Sequence, residues 1–259
     1  MIGILFTARL GSTRLKKKHL INSCGKTFLE WLVLRFQVAM SKELESENVK
    51  FILATSEKNE NKEFESYFQG YSIEIFYGDD KNIPLRYCQC IDKYKFDYII
   101  IVDGDDILCS TEAALKLVEQ IKSDSIHNID IIRIDGLPLG MNLSAYRASY
   151  IKESLAKSKF KNLEVGWSRI FNNPRVKIVK MGNYELEGDY RFTLDYEEDA
   201  IFFNSIISIL KDELLTISDE KLLEAVEENK LYELNKHLTK EYWNNYNNSV
   251  KKSIAQDEK

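Results

Sequence analysis

An α/β fold built on a mostly parallel sheet is predicted by three observations. Short apolar runs alternate along the chain with segments of helical periodicity. One run, Tyr98-Ile-Ile-Ile-Val102, is continuously apolar, as expected of a strand buried on both faces. The chain has 259 residues with 44% hydrophobic content, enough core for one large domain or a domain with an appendage.

The elements follow in order. Residues 2–6 are the first strand and 28–40 the first helix. A strand at 49–54 leads to a charged helix at 59–67. A strand at 72–77 precedes a helix at 85–94, and the strand at 98–102 precedes a helix at 111–121 that Ser110 or Thr111 can cap. Residues 129–134 form another strand. The stretch 135–183 mixes helix and loop and holds two of the three prolines, so it reads as an insertion that builds a substrate pocket. Strands at 176–180 and 191–195 and a helix at 197–210 complete a domain over residues 1–212.

Beyond residue 218 the character changes. Residues 218–250 read as an accessory segment with helices at 220–230 and 231–246, and 251–259 as a charged, frayed tail. Leu222, Leu223, Val226, Leu231 and Leu234 can form one apolar stripe. The segment holds no clustered acid, base or nucleophile, and His237 reads as a surface residue. It is expected to carry no catalytic group and to pack on the core or on a second copy in a homodimer, which would also hide Tyr242, Trp243 and Tyr246.

Composition excludes several classes. Net charge is −5, against a general nucleic-acid binder. No run approaches the ~20 apolar residues that span a membrane. The apolar start is too short for a secretion signal, so a cytoplasmic location is expected. Cys24, Cys88, Cys90 and Cys109 match no zinc spacing and read as reduced, buried filler.

The chemistry begins after the first strand, in Ala8-Arg9-Leu10-Gly11-Ser12-Thr13-Arg14-Leu15-Lys16-Lys17-Lys18. A strand–loop–helix crossing places this loop beyond the carboxyl ends of the strands, where open α/β sheets bind ligands. Hydroxyls, backbone N–H groups, Arg and Lys suit a polyphosphate; the plainer alternative is a solvated basic turn. Gly25-Lys26-Thr27 imitates the end of a P-loop, but Leu20 stands where that motif needs its first glycine.

Two acidic groups complement this loop. Asp103, Asp105 and Asp106 crowd the end of the 98–102 strand, a costly arrangement unless cations neutralise it. Mg²⁺ takes such oxygen ligands together with substrate phosphates, although an acidic turn capping the next helix is also consistent. Asp195, where a strand gives way to a helix, is the second candidate ligand, whereas Glu197, Glu198 and Asp199 suit a helix N-terminus electrostatically. Arg86 sits just inside its helix and either faces solvent or points into the cleft.

Together these segments resemble the cytidylyltransferases that activate sugar acids, the 3-deoxy-manno-octulosonate and spore-coat polysaccharide types. The family opening A-R-x-G-S-(S/T)-R-L-P-G-K is matched by residues 8–18, with Lys16-Lys17 replacing Pro-Gly. Gly104-Asp105-Asp106-Ile107 is similar to the family's acidic segment, with Ile107 replacing Pro. Arg191-Phe-Thr-Leu-Asp195-Tyr-Glu-Glu198-Asp199 resembles its late segment, and residues 78–87 its Arg-bearing turn. The likeness covers residues 1–210.

The resemblance implies a three-layer α/β/α sandwich of the nucleotide-sugar transferase type and CMP transfer from CTP to a sugar or sugar acid, serving surface polysaccharide synthesis. It implies nucleotide contacts from Ala8, Arg9, Gly11, Ser12, Thr13, Arg14, Lys18, Arg86 and Asp103. Arg14, Lys18 and Asp105 would be catalytic, with Mg²⁺ on Asp105 and Asp195. Acceptor candidates are Arg133, Asp135, Asn142, Trp167 and Arg169: an Arg fork suits a carboxylate and an aromatic face suits a sugar ring. Core packing is the other reading of Trp167. The rival functions are a metal-dependent glycosyltransferase of similar architecture and an inactive nucleotide-binding homologue. A glycosyltransferase has no need of the Arg/Lys-rich loop, and a dead homologue should have lost a ligand.

Overall fold

The computed structural model describes residues 1–12, 14–123, 128–161, 163–182 and 190–257. A seven-stranded sheet runs through it, formed by β1 (Ile2–Thr7), β2 (Val49–Ser56), β3 (Glu74–Gly78), β4 (Tyr98–Asp103), β5 (Ile131–Asp135), β6 (Ser144–Arg147) and β7 (Val176–Lys180). Its order is β3-β2-β1-β4-β6-β5-β7, parallel except for β6, which runs antiparallel to both neighbours. The order reverses between β1 and β4, where Thr7 lies beside Asp103. The loops after these two strands therefore diverge from one point, the usual place for a ligand crevice.

The longer helices are α1 (Phe28–Ala39), α2 (Ile83–Tyr94), α3 (Thr111–Lys122), α4 (Ala148–Lys157), α5 (Glu197–Leu210), α6 (Asp219–Glu228) and α7 (Leu238–Asp257). Their ends follow local chemistry. Thr27 accepts from Glu30 N while Glu30 accepts from Thr27 N, a reciprocal cap on α1. Ser110 caps α3 by accepting from Ala113 N. Helices α1, α3 and α5 bury Phe28, Leu32, Phe36, Leu117, Phe203 and Ile207 against one face of the sheet. Helices α2 and α4 bury Cys88, Cys90, Ile91 and Ile151 on the other. Each such side chain contributes about 1.5–3 kcal/mol relative to exposure.

Several elements depart from expectation. Strand β6 arises inside the 135–183 stretch, where helix, loop and a late strand were expected; it inserts between β4 and β5 and so forms by non-local pairing, while helix α4 meets the expectation of helix there. Residues 59–66 form 3₁₀ turns because Asn61 is buried, donating to Ser56 and accepting from Leu10 N. Arg191 to Asp195 is extended but joins no sheet. Its bonds go to loops instead: Phe192 N to Leu139 O, and Leu194 N to Asp105 O. Cys24 is exposed in a turn, while the other three cysteines are free and buried.

The apolar stripe of the C-terminal segment packs on the core, with Leu222, Leu223, Val226 and Leu231 buried. The second helix expected there is broken. A 3₁₀ turn (Leu231–Leu234) ends at Asn235, and α7 begins only at Leu238. Asn235 is fully buried and donates to Asp199 and to Arg191 O, contacts a continuous helix would not allow it to reach. Residues 251–257, expected to fray, continue α7, and the Asp257 carboxylate accepts from Lys161 N. Trp243 and Tyr246 are exposed, whereas Tyr242 turns inward.

Candidate active site

The first loop is held over the sheet by its own anchors. Thr7 donates to Asp103 at 2.9 Å, and Leu10 N donates to Asn61. His19 Nδ1 lies 3.0 Å from Gly104 O; a carbonyl only accepts, so Nδ1 carries the proton. A Cβ at Gly104 would stand 2.6 Å from Thr7 O, so this close meeting of the β1 and β4 ends requires glycine.

Lys18 is the centre of the site. Its ammonium donates to Asp105 at 2.8 Å, Asp195 at 3.1 Å and Leu194 O at 2.7 Å, using all three N–H bonds while 8% exposed. Asp105 and Asp195 thus meet at one cation although distant in sequence. Arg14 donates to the same Asp195 oxygen at 2.7 Å, its guanidinium over the Tyr196 ring. Beneath them Arg191 grips Asp199 with two N–H groups and reaches Asp195 at 3.2 Å. Asp199 also accepts from the backbone of Asp195 and Tyr196, so its role at the start of α5 is structural, as expected.

Carboxylate oxygens of Asp103, Asp105 and Asp106 lie within 4.8 Å of one another. Enclosure by the cleft, then the charge of Asp105, push Asp103 up to about 6, although its outer face still meets solvent. Burial, then Asp105 and Asp103, raise Asp106 well above the carboxylate range. Burial alone would raise Asp195 too, but Lys18 and Arg14 reverse this and hold it low. Burial would depress the Lys18 ammonium, and Asp105 and Asp195 more than offset that. The two acid groups therefore differ. Asp195 is saturated with cations, while the Asp103–Asp106 edge is crowded with undercompensated negative charge. That donor set fits a hard divalent cation.

Beside the acid cluster lies a cavity of about 460 Å³ lined by Asp103, Arg133, Asp135, Asn142, Tyr146 and Trp167 among others. Four of the five acceptor candidates thus share one wall system with Asp103. No carboxylate of the described residues lies within ion-pair distance of Arg133. Trp167 packs edge-on against Tyr87 and tilted against Tyr146. Asn142 is engaged with the backbone of Leu137 and Pro138. Arg169 departs from expectation: it donates to Ser253 and lies over Phe160, so it anchors α7 rather than facing the cavity. A larger cavity of about 690 Å³ lies at the opposite strand ends, around Met1, Asp97 and Lys152, away from this chemistry.

The remaining nucleotide candidates are dispersed. Arg9 pairs with Glu164 at 2.5 Å, joining the first loop to the 135–183 stretch. Arg86 is buried and donates to Asp79 O and Asp80 O, so it braces its own turn. Ala8 is buried, Gly11 exposed and Ser12 half-buried. Thr13 lies outside the described residues.

Sequence reasoning missed Asn61, His19, Arg191, Asn235 and Tyr242. Arg191 stood inside a quoted motif and could have been found; the others carry no local signal. The C-terminal segment packs on the core, as one of its two expected placements has it, and it reaches the edge of the site. Asn235 bonds Asp199, and the Tyr242 ring lies 4.6 Å from the Arg191 guanidinium.

These elements together define a nucleotide-binding α/β enzyme of the transferase type. A family model of cytidylyltransferases matches residues 3–238, and the chain belongs to that family. It is similar to the uncharacterized protein MJ1063 of Methanocaldococcus jannaschii, at 26% identity over 88% of this chain and 91% of that one. It is also similar to the spore coat polysaccharide biosynthesis protein SpsF of Bacillus subtilis, at 27% identity over 77% and 84%. In fold it resembles a cytidylyltransferase from Leptospira borgpetersenii serovar Hardjo-bovis, with TM-score 0.73, 21% identity and coverage of 89% and 95%. A CMP:2-keto-3-deoxy-manno-octonic acid synthetase complexed with CTP shares the fold with TM-score 0.58, 14% identity and coverage of 80% and 98%. Among the described residues no helix is long and apolar enough to cross a membrane.

Proposed function

We propose that this cytidylyltransferase moves CMP from CTP to a hydroxyl of a sugar or sugar acid, for surface polysaccharide synthesis. The observation that carries the reading is the Lys18 ammonium shared by Asp105 and Asp195 at the β1/β4 switch point, next to a cavity lined by Arg133. The SpsF relative supports the polysaccharide role by its name, and the CTP-bound structural neighbour supports the nucleotide.

In this reading the acceptor oxygen forms a bond to the α-phosphorus, the bond to the bridging oxygen breaks, and pyrophosphate leaves with the electron pair. Asp103 belongs to the acid cluster and lines the cavity, and its carboxylate receives the hydroxyl proton. Lys18 and Arg14 turn from Asp105 and Asp195 to the phosphates and neutralise the charge growing on the leaving group. Asp105, beside Asp103, and Asp195 once Lys18 and Arg14 have turned away would hold Mg²⁺, which would supply further charge neutralisation. Arg133 pairs with a carboxylate of the acceptor, and Trp167 offers its face to the sugar ring. Positioning and electrostatics account for most of the acceleration.

Pyrophosphate release measured with four nucleoside triphosphates and a panel of sugar acids tests this. Release is expected with CTP and one class of acceptor only. Release with none of them, alongside turnover of a nucleotide-sugar, would favour a glycosyltransferase instead.

A further inference from the structure

Helix α7 is twenty residues long, about 30 Å at the usual rise. It runs from Tyr196 and Arg191, beside the acid cluster, to Lys161 and Arg169. At its near end, Asn245 donates to the Tyr196 hydroxyl, and Tyr196 lies against both Arg14 and Arg191. At its far end, Ser253 accepts from Arg169 and Asp257 accepts from Lys161 N. Between them Val250 packs at Gly166, where a Cβ would stand 3.1 Å from its methyl group.

The inward stripe of α7 is mostly polar, with Leu238 and Val250 as its apolar members. Tyr242, Asn245, Ser253 and Asp257 face the protein, and only Leu238 and Ser253 are buried. A segment with so few buried apolar contacts opens at a small fraction of the global unfolding free energy. The neighbouring helix α6 differs, since it buries Leu222, Leu223 and Val226. Tyr242 stands at the point of contact with the site. Its ring covers the Arg191 guanidinium, whose Nη1 is buried with no hydrogen-bond partner among the described residues. Burial, then Asp105 and Asp195, keep the Tyr242 hydroxyl protonated and able to donate.

Resting on the transferase reading above, we propose that Tyr242 contacts the bound nucleoside triphosphate and that α7 is a movable cover that carries it onto the site. Triphosphate entering between Lys18, Arg14 and the acid cluster meets α7 from below. Cover and ligand then share contacts that the empty site makes only with its own side chains.

The test uses the full chain with Mg²⁺ and CTP. Hydrogen exchange is followed on peptides of α7 and α6, and CTP and CMP binding are measured by calorimetry. Binding of CTP is expected to slow exchange in α7 at least fivefold while α6 is unchanged. Tyr242→Ala should weaken CTP at least tenfold, change CMP less than twofold, and remove the slowing, with an unaltered melting temperature. Tyr242→Phe should recover the ring contact and part of the affinity. If the wild type binds CTP but α7 exchange does not change, or if Tyr242→Ala binds CTP like the wild type, the proposal is overturned. A wild type that binds no CTP overturns the transferase reading itself, and the cover with it.

Discussion

The β1/β4 switch point and helix α7 meet at the same site but are built by opposite means. At the switch point, charge is gathered in one network: Lys18, Arg14 and Arg191 hold Asp195, Arg191 also holds Asp199, and all but the exposed Arg14 are buried. Helix α7 is held mainly by polar contacts, from Asn245 on Tyr196 to Ser253 and Asp257 on Arg169 and Lys161. The Arg191–Asp199–Asp195 base of the first arrangement is rigid because removing one partner strands another charge, at about 3–5 kcal/mol. The second loses about 1 kcal/mol per contact. A transferase needs both, a fixed frame for the phosphates and a wall that yields to admit them.

The comparison is broken most sharply at the carboxylates. Asp105→Asn and Asp195→Asn should each cut turnover by more than about 100-fold, since each removes a charge that neutralises or holds cations. They should separate in stability. Asp105 keeps solvent contact, so its variant should melt near wild type; Asp195 serves three cations, so its variant should lose about 3–5 kcal/mol. Thermal melts beside single-turnover rates decide this. Equal stability for both would mean the network is not the frame described.

Lys18→Ala comes next. Losing charge-assisted bonds to phosphate should weaken CTP by about 10- to 100-fold. CMP, lacking the terminal phosphates, should change far less. Titration of both nucleotides measures the ratio, and equal losses would assign the effect to collapse of the loop.

His19 sharpens the rigid side. Burial, then Lys18, lower its imidazole from 6.5 to about 4. The unfolded chain therefore takes up a proton near pH 6.5 that the folded chain refuses until about pH 4. Its contribution to stability is present at neutral pH and is lost as pH falls through that window, by about 3 kcal/mol in all. His19→Asn should flatten this part of the urea-denaturation profile against pH. An unchanged slope would assign the acid sensitivity to other groups.

The smallest effect belongs to the far end of α7. Ser253→Ala removes the acceptor for Arg169 and should cost about 1 kcal/mol or less. Hydrogen exchange should rise in the last two turns of α7 and nowhere in α6. A global drop in protection would show that α7 unfolds with the core.

Much of this was legible before folding because it is local. Apolar periodicity located β1, β4, α1, α3 and α5, and Ser110 announced its helix by chemistry confined to four residues. The loop of residues 8–18 and Asp103, Asp105 and Asp106 declared themselves by charge crowded at strand ends. Four acceptor candidates lie on one cavity, but Arg169 turned away from it, because no local signal tells which of two walls a guanidinium will face. Strand β6 was missed for the same reason: its short run Ser144–Arg147 becomes a strand only when β4 and β5 arrive on either side.

The sequence by itself determined the alternation of strands and helices, the family motifs and the residue types able to grip a triphosphate. These depend on neighbours within a few positions and on the burial each residue demands. Tertiary structure alone decided that Lys18 would join Asp105 to Asp195, that Asn235 would break a helix to reach Asp199, and that Tyr242 would cover Arg191. Such contacts join segments dozens of residues apart, and their free energy appears only when the sheet order brings the segments together.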